Sequence, residues 1–180
     1  MRRTVNRSIV LKFESNKLKT DVNRPETIAS FNGQVSNLKA TRLDSHNIAL
    51  ALTGLATPSG ELYNAEKPQS TGKVYTSLFV RQWDAYVTEN RNAIWYTTFR
   101  KVEGTFIHVG PLRNALKGHT FSLESPVPPF REARDFDISA NGIVFVAKDP
   151  DIDPANYTKT DLYYIPFRTL TNLKRHRLGL

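Results

Sequence analysis

The chain has 180 residues, 39% of them hydrophobic, no cysteine and a formal net charge of +8. That length suits one ordinary domain, the missing cysteine excludes disulfides and thiolate metal sites, and the lack of any apolar run of roughly 18 residues excludes a transmembrane helix. The charge sits at the ends: residues 1–24 carry seven Lys or Arg against two acids, residues 168–180 carry four and no acid, and the middle holds 14 basic and 15 acidic residues.

A face that reads nucleic acid needs basic and aromatic residues interleaved on the fold itself. Basic ends flanking a neutral body therefore argue against nucleic acid as the partner, and nothing argues for a membrane. The start is positively charged, but only residues 9–11 (IVL) are apolar, where a secretory signal needs about 7–15 such residues. Either the protein stays inside the cell or its true beginning is missing.

In chain order, residues 1–26 form a basic segment with one β-like run at 8–13 (SIVLKF), closing on the helix-unfriendly step Arg24-Pro25. Residues 27–31 (TIASF) followed by Asn32-Gly33 read as a strand and a tight turn, because Asn-Gly accepts the positive φ that hairpins demand. Residues 37–40, a turn at 44–47, residues 48–53 (IALALT), a polar loop at 58–72 and residues 74–80 (VYTSLFV) then read as three strands of one antiparallel sheet. A central block follows: residues 92–99 (NAIWYTTF) and 105–109 (TFIHV), joined by a hairpin at 100–104. Beyond the rigid connector at 126–129 (PVPP), the opening pattern recurs at 135–139 (DFDIS), a turn at 140–142, 143–147 (IVFVA) and 161–166 (DLYYIP).

Repeated small sheets of this kind predict an all-β chain, an incomplete β-propeller. The equivalent positions Ile48 and Ile143 are 95 residues apart with the central block between them. Two spacings of about 47 match the roughly 40–50 residues of a blade, so about three to four blades are expected within residues 27–167. Residues 168–180 form a basic tail outside the pattern. An open arc exposes strand edges, so the expectation is a piece of a larger protein.

The familiar catalytic patterns are missing. No G-x-S-x-G elbow occurs, and none of His46, His108, His119 and His176 has an i,i+4 partner or a carboxylate at a recognisable spacing. The glycines are scattered and form no phosphate-cradling loop. The acidic residues at 149–153 (DPDID) lack the glycine and distal glutamate of a calcium loop and read as solvated. Trp83-Asp84 matches the dipeptide of propeller blades, and Trp95 and Tyr96 read as core. No catalytic, cofactor-binding or metal-binding residue is assigned, and no cofactor is expected. Two N-glycosylation triplets begin at Asn6 and Asn156, about as many as composition yields by chance; Asn156 falls in an expected surface loop.

Residues 77–84 (SLFVRQWD), 92–96 (NAIWY), 136–139 (FDIS) and 144–150 (VFVAKDP), with 56–60 (ATPSG), 157–159 (YTK) and 161–163 (DLY), resemble the propeller of fungal dipeptidyl-peptidase V. The resemblance covers about residues 27–167, as the N-terminal β-propeller only. It implies a secreted serine peptidase of the prolyl-oligopeptidase clan, in which the propeller covers an α/β-hydrolase domain, limits access to short peptides and leaves the Ser, Asp and His to that domain. No position here corresponds to that triad. The expectation is thus a non-catalytic propeller fragment of an enzyme that releases N-terminal dipeptides, gating access to a missing hydrolase domain and inactive alone. The alternative is a stand-alone propeller-like module that binds a protein partner. A third reading, polyanion binding through the basic ends, requires steep salt dependence.

Overall fold

A computed structural model describes residues 7–9, 28–64, 74–75, 80–82, 85–118, 123–148, 156–167 and 176–177. Among these residues the chain is all-β, apart from a 3₁₀ turn at Ala133–Asp135 and the 3₁₀ residue Phe167. Two four-stranded antiparallel sheets carry the structure. The first is ordered β3 (Val35–Arg42), β4 (Asn47–Ala56), β7 (Arg91–Val102), β8 (Thr105–Asn114). The second is ordered β9 (Phe136–Ile138), β10 (Gly142–Lys148), β11 (Thr160–Pro166), β12 (His176–Arg177). Two-stranded ribbons pair β1 (Arg7–Ile9) with β2 (Ala29–Phe31) and β5 (Arg81–Gln82) with β6 (Ala85–Tyr86). Each large sheet runs in sequence order from edge to edge, as a propeller blade does, and no sheet closes on itself among the described residues.

The two blades meet at their first strands. β3 lies against β9, and Lys39 of β3 joins them: its Nζ donates to the Phe136 carbonyl, sits 3.4 Å from Asp137 Oδ1 and lies 4.9 Å from the Phe136 ring centroid. A continuous core runs behind this contact, taking Ala51, Ile94 and Tyr96 from the first sheet and Phe136, Ile143, Phe145, Tyr163 and Ile165 from the second. The Tyr96 and Phe167 rings are 6.1 Å apart, and Phe145 stacks on Tyr163 at 5.5 Å. On the opposite pleat of the first sheet, Ile48, Leu50 and Phe99 form a smaller cluster with Ile28 and Ala29 beside them. β4 and β7 are thus covered on both faces. Their interiors read as continuous apolar runs because there is no solvent face to alternate with.

Three expectations change. The strand beside β4 is β7, in a ten-residue register from Asn47↔Arg100 to Ala56↔Arg91, and not residues 74–80. Val74 and Tyr75 lie outside any strand, and Val74 is 92% exposed. The central block is consequently the outer half of the first sheet and not a blade of its own. Asn32-Gly33 closes no hairpin, since β2 pairs with β1 and β3 with β4. Gly33 is needed there for close approach: a Cβ would lie 2.7 Å from Leu62 Cγ and 2.9 Å from the Tyr63 carbonyl. The hairpin at 100–104 stands, with Val102 opposite Thr105 and positive φ at both Glu103 and Gly104, the twist a two-residue loop requires.

Phe99 is fully buried, whereas Ile107 is 47% exposed. Phe99→Ala is expected to lower stability by about 3–5 kcal/mol through the cavity it leaves. Ile107→Ala should stay within about 0.5 kcal/mol. Urea denaturation followed by tryptophan fluorescence measures both.

Candidate functional site

The first blade holds a cavity of about 220 Å³ at the end where β3 begins, lined among others by Val35, Ser36, Asn37, Thr53, Asn92 and Arg131. A β-bulge builds its wall. Between Ser36↔Thr53 and Lys39↔Ala51 the β3 strand carries one extra residue, and Asn37 takes φ 51°. A bulge of this kind bends the strand and re-aims a side chain. Asn37 Nδ2 donates to Thr53 Oγ1 at 3.1 Å, and the Ser36 and Thr53 hydroxyls meet at 3.0 Å. The wall is therefore a short polar network across β3 and β4. Val35, Leu55 and Pro126 supply apolar surface beside it.

The segment that follows the first blade supplies the opposite side. Its position is set by Asn92, the second residue of β7, which is itself buried. Asn92 N donates to Glu124 Oε1 at 2.9 Å, Asn92 Nδ2 contacts the same oxygen, and the Asn92 carbonyl accepts from Ser125 N at 3.2 Å. Further along, Val127 N donates to Asp135 Oδ2 at 2.8 Å, and Arg131 N to the Val127 carbonyl at 3.0 Å. Arg131, at φ 52°, brings its exposed side chain to the cavity. Burial pushes the Glu124 carboxyl above the ordinary value of 4.5, opposed by the bonds from Asn92 and the charges of Arg91 and Arg131.

The residues singled out in the sequence lie elsewhere. Trp95 and Tyr96 are core residues, 3% and 7% exposed, and the Trp95 indole donates to the Gly54 carbonyl at 3.1 Å. His46 sits in an exposed turn, its ring 2.6 Å from Ser45 Oγ. That turn is organised by Asp44, which accepts from His46 N and Asn47 N at 2.8 Å each; its bonds with Asn47 and His46 hold its carboxyl below the usual range. His108 lies between Phe31 and Phe99, with Nε2 2.7 Å from Thr97 Oγ1, and partial desolvation lowers its pKa. Asn156 is exposed, just before β11. Trp83, Asp84, His119, Asn6 and the acidic run at 149–153 lie outside the described residues, as does the side chain of His176. Neither His46 nor His108 lines the cavity. It uses Ser36, Asn37, Thr53, Asn92 and Arg131, with Glu124 behind Asn92, and these belong to no motif; the one signal near them was the proline-rich connector at 126–129.

No protein-family model matches the chain, and no solved structure matches it. Curated proteins do. A probable dipeptidyl-peptidase 5 of Aspergillus terreus is 36% identical over 151 residues, 81% of this chain and 21% of that protein. The dipeptidyl-peptidase 5 of Aspergillus fumigatus is 34% identical over 77% of this chain and 20% of its own length, and that of Arthroderma otae 37% identical over 63% and 16%. A blade-forming all-β chain thus shares its sequence with peptidases. Over the matched residues it is a homologue of the fungal dipeptidyl-peptidase 5 proteins, spanning about a fifth of the length of the curated relatives it matches.

The Glu124 environment has a pH signature. Because its folded-state pKa is raised, the folded chain holds this proton more tightly than the unfolded chain does. Its contribution to stability is therefore fully present below pH 4.5 and is lost as pH rises through the raised value. Glu124→Gln should remove that decline while keeping an acceptor for Asn92 N. Melting temperatures of both proteins between pH 4 and 8 test this: the difference between them should shift in favour of the variant as pH rises.

Proposed function

We propose that this chain serves as the non-catalytic propeller portion of a dipeptidyl-peptidase 5-type serine peptidase, with residues 27–167 as the propeller part flanked by the basic segments 1–26 and 168–180. In this reading its blades shape and gate the route by which peptides reach an α/β-hydrolase domain outside this chain. That domain holds the Ser-His-Asp triad which cleaves dipeptides from N-termini by acyl transfer. The protein works outside the cell, and Asn156, exposed in its Asn-Tyr-Thr triplet, accepts a glycan.

The observation that carries this reading is the alignment with dipeptidyl-peptidase 5 across 151 residues. The geometry supports it in two ways. Both four-stranded sheets run edge to edge in chain order, the pattern of radial blades. The nucleophile candidates that line the cavity, Ser36 and Thr53, bond to each other with no histidine beside them among the cavity residues. A hydroxyl without a base is a weak nucleophile near neutral pH.

The purified chain should therefore release no chromophore from a dipeptidyl p-nitroanilide. A chimera should restore release: a curated relative whose matching fifth is replaced by the homologous residues of this chain. Inhibitor-sensitive hydrolysis by the chain alone, or a folded chimera without activity, would overturn the proposal.

A further inference from the structure

The cavity in the first blade has the chemistry of a receptor for one small carboxylate. Of the three non-glycine residues with positive φ among the described residues, Asn37 and Arg131 both line it, while the third, Glu103, sits in a hairpin loop. Such backbone conformations are strained and persist where the surroundings over-determine them. Here the surroundings are hydrogen bonds: the Ser36–Asn37–Thr53 network on one side, and the Asn92–Glu124–Ser125 staple on the other.

Charge selects the ligand class. Among the described residues Arg131 has no carboxylate within ion-pairing distance, although Glu124 is near enough to feel its charge. Arg91, the other cation acting on Glu124, bonds the Thr88 carbonyl through Nη1 at 2.9 Å. Among the described residues that line the cavity Arg131 is the one that carries a charge, which suits a monoanion; a phosphate dianion would also face the nearby Glu124 carboxylate. The planar guanidinium binds a carboxylate through two parallel hydrogen bonds. Asn37, with one amide hydrogen given to Thr53, has another to offer, and the Ser36 hydroxyl can turn. Val35, Leu55 and Pro126 give a small apolar side chain a surface to rest on.

We propose that this cavity binds the carboxylate of a short peptide or N-acylated amino acid, with Arg131 as the anion anchor and Asn37 and Ser36 as neutral donors. The assignment does not rest on the peptidase reading, because it concerns binding by this chain alone and is read without a protease assay.

The test uses N-acetyl-L-alanine and its neutral counterpart, N-acetyl-L-alaninamide, titrated into the ¹⁵N-labelled chain. The acid should shift the Asn37 side-chain amide and the Arg131 guanidinium signals, while the amide binds at least about tenfold more weakly, the loss expected when one charge-assisted pair is removed. Arg131→Gln should weaken acid binding by a similar factor while leaving the near-ultraviolet signal of buried Trp95 unchanged, as a folded chain requires. Equal binding of acid and amide, no shift at the cavity residues, or unaltered acid binding by a folded Arg131→Gln chain would each overturn the assignment.

Discussion

Everything in this structure depends on the double burial of β4 and β7. Two adjacent central strands with apolar residues on both pleats cannot stand with one face in water; each face needs a cover. The second blade covers one with Phe136, Ile143 and Phe145, and the region of β2 covers the other with Ile28 and Ala29. Small residues make this possible. Ala49, Ala51 and Ala93 are essentially buried and give little side-chain height, so neighbouring layers approach the backbone closely. Lys39 then fixes where the first strands of the two blades meet, its ammonium both over an aromatic ring and on a carbonyl.

That arrangement also places the cavity. The chain leaving β8 must cross to start β9, and the crossing segment is held to the first residues of β7 by Asn92 and Glu124. The same crossing carries Arg131 to the bulge in β3. The site is therefore a consequence of joining one blade to the next, and its polar residues belong to strand ends and connectors while the strand centres supply packing. This division, scaffold in the sheets and chemistry at their ends, is how rigid β-folds usually host binding.

Much of the fold was legible in the sequence. Residues 143–147 and 161–166 are rich in β-branched and aromatic residues and bounded by turn residues, and they form β10 and β11 as read. The hairpin at 100–104 announced itself through Gly104. Strand pairing was less legible. Residues 74–80 are rich in β-formers, yet β4 pairs with β7, because propensity says that a segment suits a strand and not which neighbour it will take. Asn32-Gly33 carried a hairpin signal but serves close packing against Leu62, a contact made by a residue 29 positions away from Gly33 and invisible to local pattern. The cavity left least trace. Ser36, Asn37 and Thr53 are ordinary strand and turn residues until a bulge brings them together, and Arg131 is one cation among 25.

The shared core between two blades is the claim on which the site, the homology and the proposed role converge. Proton NMR of the chain in solution tests it most directly, because Lys39 lies over the Phe136 ring and Tyr96 lies beside Phe167. The account predicts Lys39 side-chain protons shifted upfield by the ring, with cross-relaxation between Lys39 and Phe136 and between Tyr96 and Phe167. Lys39 protons at unperturbed positions, with no cross-relaxation between the two sheets, would contradict it.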